Sequence, residues 1–188
     1  MPPAQEPVDA YTYDPRDPVM TLYSPEGQQE PQDQRCLDGR RDVLCYSTPP
    51  LEEPLEVTGP ITVKLWVASS ATDTDFVAKL QDVWEDGFTQ ELCHGIVRAR
   101  YRDSYDNPSL LTPGQVYELT IQMNPTSNLF RRGHRIRLDI TSSDFPNFDR
   151  NHNTGGNDYA ESILQTAQQT LLHDAELPSH DVLPVIAS

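Results

Sequence analysis

Ile61-Thr62-Val63-Lys64-Leu65-Trp66-Val67 alternates without a break. Ile61, Val63, Leu65 and Val67 fall on one side, and Thr62, Lys64 and Trp66 on the other. Successive side chains of an extended chain point to opposite faces, so this pattern, β-branched on its apolar side, predicts a half-buried strand. The reading extends outward. Upstream, Asp42–Tyr46 is a short apolar run closed by Ser47-Thr48-Pro49-Pro50, and Leu55-Glu56-Val57 leads into a turn at Thr58-Gly59-Pro60. Downstream, Asp75–Val83, Ile96–Arg102, Val116–Met123 and Ile136–Ile140 read as strands. Turn signals separate them at Trp84-Glu85-Asp86-Gly87-Phe88, Thr112-Pro113-Gly114 and Arg131-Arg132-Gly133-His134. Thr166–His173 and Asp181–Ile186 are weaker strand candidates, and only Tyr159–Gln165 predicts a short helix. Eight or nine short strands at near-regular spacing predict an all-β sandwich or jelly roll.

The first 34 residues differ. They hold seven prolines, including the two Asp-Pro steps of Tyr13-Asp14-Pro15-Arg16-Asp17-Pro18. Proline removes a backbone donor and pushes its predecessor toward extended backbone, so residues 1–34 predict an extended Pro-rich arm or linker. Gly27–Asp33 reads as a surface loop, and residues 35–188 as the folded domain.

With 188 residues, 14 Lys plus Arg and 29 Asp plus Glu, the net charge is −15. Such a chain lacks the clustered cations that nucleic acid or an anionic membrane surface requires. No run approaches 18 apolar residues, and Met1–Glu6 has neither the basic nor the apolar part of a signal peptide. Cys36, Cys45 and Cys93 make no Cys-x-x-Cys pair and predict reduced thiols, with Cys45 buried in its strand. A cytoplasmic location is the default expectation.

Chemistry-bearing constellations are sparse. No Gly-x-Ser-x-Gly elbow exists, and Ser142-Ser143-Asp144 and Ser179-His180-Asp181 are sequence neighbours, whereas triads assemble from distant positions. Asp149-Arg150-Asn151-His152-Asn153 begins like a calcium loop. Thr154 and Ala160, however, stand where that motif wants Gly and Glu, so Asp149 is expected to cap backbone amides instead. Arg150 is then expected to point outward or pair with an acid. The five histidines show no metal-ligand spacing, and His134 reads as a structural turn residue. Neither a metal nor a cofactor is expected. Trp66, on the polar side of its strand, is either covered by a neighbouring domain or, with Trp84, a sugar platform.

Several stretches in register resemble one family. They include Tyr13-Asp14-Pro15-Arg16-Asp17-Pro18-Val19, Pro31-Gln32-Asp33-Gln34-Arg35, Asp42-Val43-Leu44-Cys45-Tyr46, Leu55-Glu56-Val57-Thr58-Gly59-Pro60 and Thr72-Asp73-Thr74-Asp75-Phe76-Val77-Ala78-Lys79-Leu80. Gly95–Arg102, Gly133–Leu138 and Ser142-Ser143-Asp144-Phe145-Pro146-Asn147-Phe148-Asp149-Arg150-Asn151 complete the set. Together they resemble the C-terminal domain of the cocaine esterase / X-Pro dipeptidyl-peptidase family of serine hydrolases. The resemblance implies a jelly-roll β-sandwich of galactose-binding-like type. It implies no cofactor and no catalytic residue in this chain, since the family's triad lies in an α/β-hydrolase domain. That domain is the implied partner, and a homo-oligomer is a further possibility. The parent enzymes act on esters, amides or X-Pro dipeptides. Thr21, Leu22 and Tyr23 match a stretch near the family's substrate pocket, although relatives carry a glycine pair where this chain does not. Trp66, Phe145, Asn147, Phe148 and Arg150 are the expected docking surface, with at least one of the two phenylalanines exposed. The competing expectation is a free-standing jelly-roll module that binds carbohydrate or another ligand. A self-sufficient hydrolase is a third.

Overall fold

The computed structural model describes residues 6–22 and 31–186. Its strands are β1 (Asp9–Tyr13), β2 (Leu44–Ser47), β3 (Leu55–Gly59), β4 (Thr62–Ser69), β5 (Asp75–Val83) and β6 (Thr89–Arg98). After them come β7 (Tyr117–Gln122), β8 (Thr126–Phe130), β9 (Arg135–Thr141), β10 (Ala167–Leu172) and β11 (His180–Val182). All strand pairs are antiparallel. β10 and β11 pair in turn with opposite halves of β4, β1 lies outside β10, and β7 takes the other side of β4. The second sheet runs β2-β9-β5-β6, and β3 with β8 forms a separate pair.

Alternation places Val63, Leu65 and Val67 of β4 and Leu119 and Ile121 of β7 inward. They meet Phe76, Ala78 and Leu80 of β5, Cys93 of β6 and Ile140 of β9 in one apolar cluster, closed by Val57 and Phe130 from the small pair. This is the β-sandwich that the period-two pattern predicts. Gly95 of β6 lies close against β7 of the other sheet. A Cβ there would lie 2.6 Å from the Gln122 carbonyl oxygen and 2.9 Å from Ile121 Cγ2, so only glycine fits.

Some expectations are corrected. β6 ends at Arg98, and Ala99–Tyr101 is a turn of 3₁₀ helix rather than strand, because Asp73 accepts from the Arg100 amide and draws the chain out of the ladder. No helix forms at 159–165. A turn at 158–160, held by Asn157, gives way to an extended approach to β10. Cys45 is exposed, because it sits on the outer strand of its sheet and points away from the apolar core. Within the N-terminal stretch, Asp9–Tyr13 is hydrogen-bonded to β10, and Tyr11 and Tyr13 are buried.

β8 is unanticipated, and so is burial on both faces of the second sheet. Lys79, Gln81 and Asp139 face away from the apolar core yet are almost fully buried. Their charged groups are matched: Lys79 pairs with Asp144 and Glu91, Gln81 Nε2 donates to Asp139 at 3.0 Å, and Arg137 makes a two-point contact with Asp139 at 2.7 and 3.0 Å, while the Gln81 side-chain oxygen is buried without a hydrogen-bond partner. Buried charges persist only when matched in this way.

Candidate docking site

The chain leaves β9 through Thr141-Ser142-Ser143-Asp144, all buried, and crosses the second face of the β2-β9-β5-β6 sheet. There it meets the N-terminal stretch. Phe145 donates its amide to the Val19 carbonyl at 2.9 Å and accepts from the Thr21 amide at 2.7 Å, a short parallel bridge. Ser143 Oγ accepts from the Val19 amide, and Ser142 Oγ pairs with the Tyr11 hydroxyl. In the other expected Ser-His-Asp neighbourhood, Ser179 Oγ donates to the Leu172 carbonyl and accepts from the Trp66 amide. The Ser143 and Ser179 hydroxyls therefore hold backbone, and that of Ser142 ties the second sheet to Tyr11 of β1.

Asp144 is the hub. Lys79 Nζ lies 2.6 Å from its Oδ1 and 3.4 Å from Glu91 Oε2. Thr21 Oγ1 donates to Asp144 Oδ1 at 2.8 Å, and Asn147 Nδ2 donates to Oδ2 at 3.0 Å. Glu91 Oε1 lies 2.8 Å from His94 Nδ1, and His94 Nε2 lies 3.1 Å from Asn147 Nδ2. If Glu91 accepts from Nδ1–H, then Nε2 is free to accept from Asn147. Phe148 stands edge-on to His94 at 5.7 Å, and the Arg150 guanidinium lies 5.3 Å from the Phe145 ring centre.

Electrostatics follow from this geometry. Burial alone would push the Asp144 carboxyl up, but the Lys79 ammonium together with the hydrogen bonds from Lys79, Asn147 and Thr21 outweighs it and holds the group below the usual carboxylate range. Burial would likewise lower Lys79, but Glu91 and Asp144 together raise it. His94 is raised, mainly by its hydrogen bond to Glu91. The result is a salt-bridged platform that fixes Thr21, Phe145, Asn147 and Phe148 from beneath.

The structure thus brings together five residues singled out in the sequence: Thr21, Phe145, Asn147, Phe148 and Arg150. Leu22, half-buried, follows directly. Tyr23 lies outside the described residues. Phe145 and Phe148 are each half-buried, so neither ring is fully enclosed, while Pro146 and Asn147 are exposed. Trp66 stands elsewhere, half-buried on β4 opposite Leu172 and Glu118. Trp84 follows β5 in the other sheet and stacks on His134 at 5.8 Å, so the two tryptophans share no face. His134 is held by Asp82 at 2.8 Å.

Two side chains behave differently from expectation. Arg150 donates to the Pro15 carbonyl at 3.0 Å instead of pointing outward or pairing with an acid. Asp149 is exposed and meets Arg98 at 3.4 Å, while the backbone amides of its loop bond Asn151 Oδ1 and Asp158 Oδ1. Burial explains the exchange: Asn151 is fully enclosed, its amide spanning Asp73 and Asp75, so its oxygen is the one the turn can use. Lys79, Glu91, His94 and Asp144 were missed as site residues. For Lys79, Glu91 and His94 the sequence signal is a polar residue inside a strand, and Asp144 lies in the segment just after β9.

Comparison with known proteins places the chain firmly. Residues 2–180 match the X-Pro dipeptidyl-peptidase C-terminal non-catalytic domain. The cocaine esterase of Rhodococcus sp. (strain MB1 Bresler) is 50% identical over 187 residues, which cover 96% of this chain and 33% of that protein. The crystal structure of an aminopeptidase from a marine sediment Thaumarchaeota archaeon superposes with a TM-score of 0.91 at 34% identity, covering 100% of this chain and 34% of the other. An α-amino acid ester hydrolase superposes with a TM-score of 0.91 at 33% identity, covering 99% of this chain and 34% of the other. The chain therefore spans about a third of the length of the proteins it matches.

Proposed function

Because the chain belongs to the family of X-Pro dipeptidyl-peptidase C-terminal non-catalytic domains, we propose that it serves as the accessory β-sandwich of a larger serine hydrolase. In this reading it packs against an α/β-hydrolase domain and helps shape the mouth of that domain's acyl pocket, in a cytoplasmic enzyme acting on esters, amides or X-Pro dipeptides. The observation that carries it is coverage. The whole of this chain corresponds to only a third of each relative, and those relatives are hydrolases by name. The platform around Asp144 supports the same reading. It presents Thr21, Asn147 and two partly open phenylalanine rings from a rigid base, as a docking surface requires.

A domain exchange tests this. The chain replaces the C-terminal third of the Rhodococcus esterase, and activity toward a p-nitrophenyl acyl ester is compared with that of the chain alone and the esterase without that third. The expected result is an active chimera, an inert isolated chain and an impaired truncated esterase. Turnover by the isolated chain that vanishes on serine-directed acylation would overturn the reading, as would a folded chimera no better than the truncated enzyme.

A further inference from the structure

The loop from Asn151 to Glu161 contains an arrangement unrelated to the docking platform. His152, Asp158 and Glu161 each offer one ligand atom, and the three atoms lie within 4.8 Å of one another. His152 is only 9% exposed, and its Nδ1 is buried with no hydrogen-bond partner. That nitrogen stands 3.9 Å from both Asp158 Oδ1 and Glu161 Oε1. This is too far for a hydrogen bond. It is close to the spacing of ligands sharing a central ion, since tetrahedral donors at about 2.0–2.1 Å from zinc stand roughly 3.3 Å apart.

The surroundings fix all three groups. Asp158 Oδ1 accepts from the His152 amide, its other oxygen meets Arg98 at 3.0 Å, and the His152 carbonyl accepts from the Gln165 amide. Thr154 Oγ1 is hydrogen-bonded to Glu161 Oε1. The local charge favours a cation. Arg98 is shared among Asp75, Asp149 and Asp158, and Arg100 pairs with Asp73. With Glu161 this sets five carboxylates against two guanidinium groups in one network.

We propose that His152 Nδ1, Asp158 and Glu161 form a binding site for a divalent transition cation, zinc by preference, that staples the 151–161 loop. One imidazole and two carboxylates suit zinc, whereas calcium would want oxygen ligands alone. The site does not use the oxygens of Asp149, Asn151 and Asn153 that the sequence suggested for calcium.

The test uses the full chain, stripped with EDTA and desalted, and reads two signals. Added zinc raises the melting temperature in a concentration-dependent way, because ligand bound only to the folded state shifts unfolding by mass action. Cobalt(II) added in its place gives the visible absorption of a low-symmetry protein site. Both signals are expected to disappear in His152→Asn and in Glu161→Gln. They are expected to persist in His94→Gln, His134→Gln and His173→Gln, which remove the other acid-paired histidines. Glu161→Gln preserves side-chain shape at a partly open position, so it reports even if His152→Asn folds poorly. The proposal is overturned if zinc leaves the melting temperature unchanged, if the rise survives in Glu161→Gln, or if only calcium stabilises.

Discussion

Replacing Lys79 by methionine isolates the energetics of the platform around Asp144. The side chain is 2% exposed, as befits a strand covered on both faces, and methionine fits its volume without a cavity. What is lost is the ammonium 2.6 Å from Asp144 and 3.4 Å from Glu91. Asp144 is 1% exposed and cannot recover its charge balance from water. Breaking a buried pair from one side costs about 3–5 kcal/mol. The pH dependence supplies the sign. In the parent chain the folded carboxyl of Asp144 lies below its ordinary value, so its contribution is present above about pH 4 and lost as pH falls through the folded value. In Lys79→Met, burial without a cation raises it instead, so the penalty is full at pH 7 and relaxes as the carboxyl takes up a proton. Urea unfolding at pH 7 and pH 5 should therefore show the gap between variant and parent shrinking at the lower pH. Lys79→Met/Asp144→Asn should regain about 2 kcal/mol over the single variant. A loss under about 1 kcal/mol at pH 7, or a loss equal at the two pH values, would refute the reasoning.

Other consequences can be checked separately. His94 is raised by Glu91, so its contribution is complete below about pH 6.5 and fades as pH rises through the higher folded value; His94→Gln should flatten that part of the stability–pH curve. Gly95→Ala should cost about 3 kcal/mol in urea unfolding, since the new Cβ meets backbone of β7 that cannot retreat. Among the thiols, Cys36 and Cys45 are both exposed at the surface and Cys93 is buried, but the partial burial of the Cys45 sulfur first and then Asp139 push Cys45 up to about 12, and burial pushes Cys93 up to about 11. A disulfide reagent at neutral pH should therefore titrate one fast thiol, absent in Cys36→Ser; two fast thiols would show that exposure rather than thiolate content governs Cys45.

β4 and β7 were legible because each has one wet face, so burial writes itself into every second residue. β5 and β9 follow a different logic. Phe76-Val77-Ala78-Lys79-Leu80-Gln81 has the polarity of a strand with one face in water, but the 19–22 and 143–148 segments cover that face and its charges pair beneath them. Periodicity reports polarity, and polarity reports burial only when no partner is available. β8 was hidden because Thr126-Ser127-Asn128 carries little hydrophobicity, and its pairing with β3 uses backbone bonds, the Thr58–Ser127 hydroxyl pair and the buried ring of Phe130. Thr21, Phe145, Asn147, Phe148 and Arg150 were singled out through resemblance and through paired aromatics around Pro146. Their base was not, because Lys79 and Asp144 are 65 residues apart in sequence and meet only in the fold.

The pairing of β1 with β10 also sets a schedule for the nascent chain. Its nearest register partners, Tyr13 and Ala167, are separated by 167 − 13 = 154 residues. At about 5–20 residues per second, β1 leaves the ribosome roughly 8–30 s before its partner exists. During that interval Tyr11 and Tyr13 have no sheet to enter, and the strand offers its amides to any passing edge. Acquisition of the native sheet must therefore be a late, non-local event. Slow refolding with a marked dependence on chaperones is the expected signature.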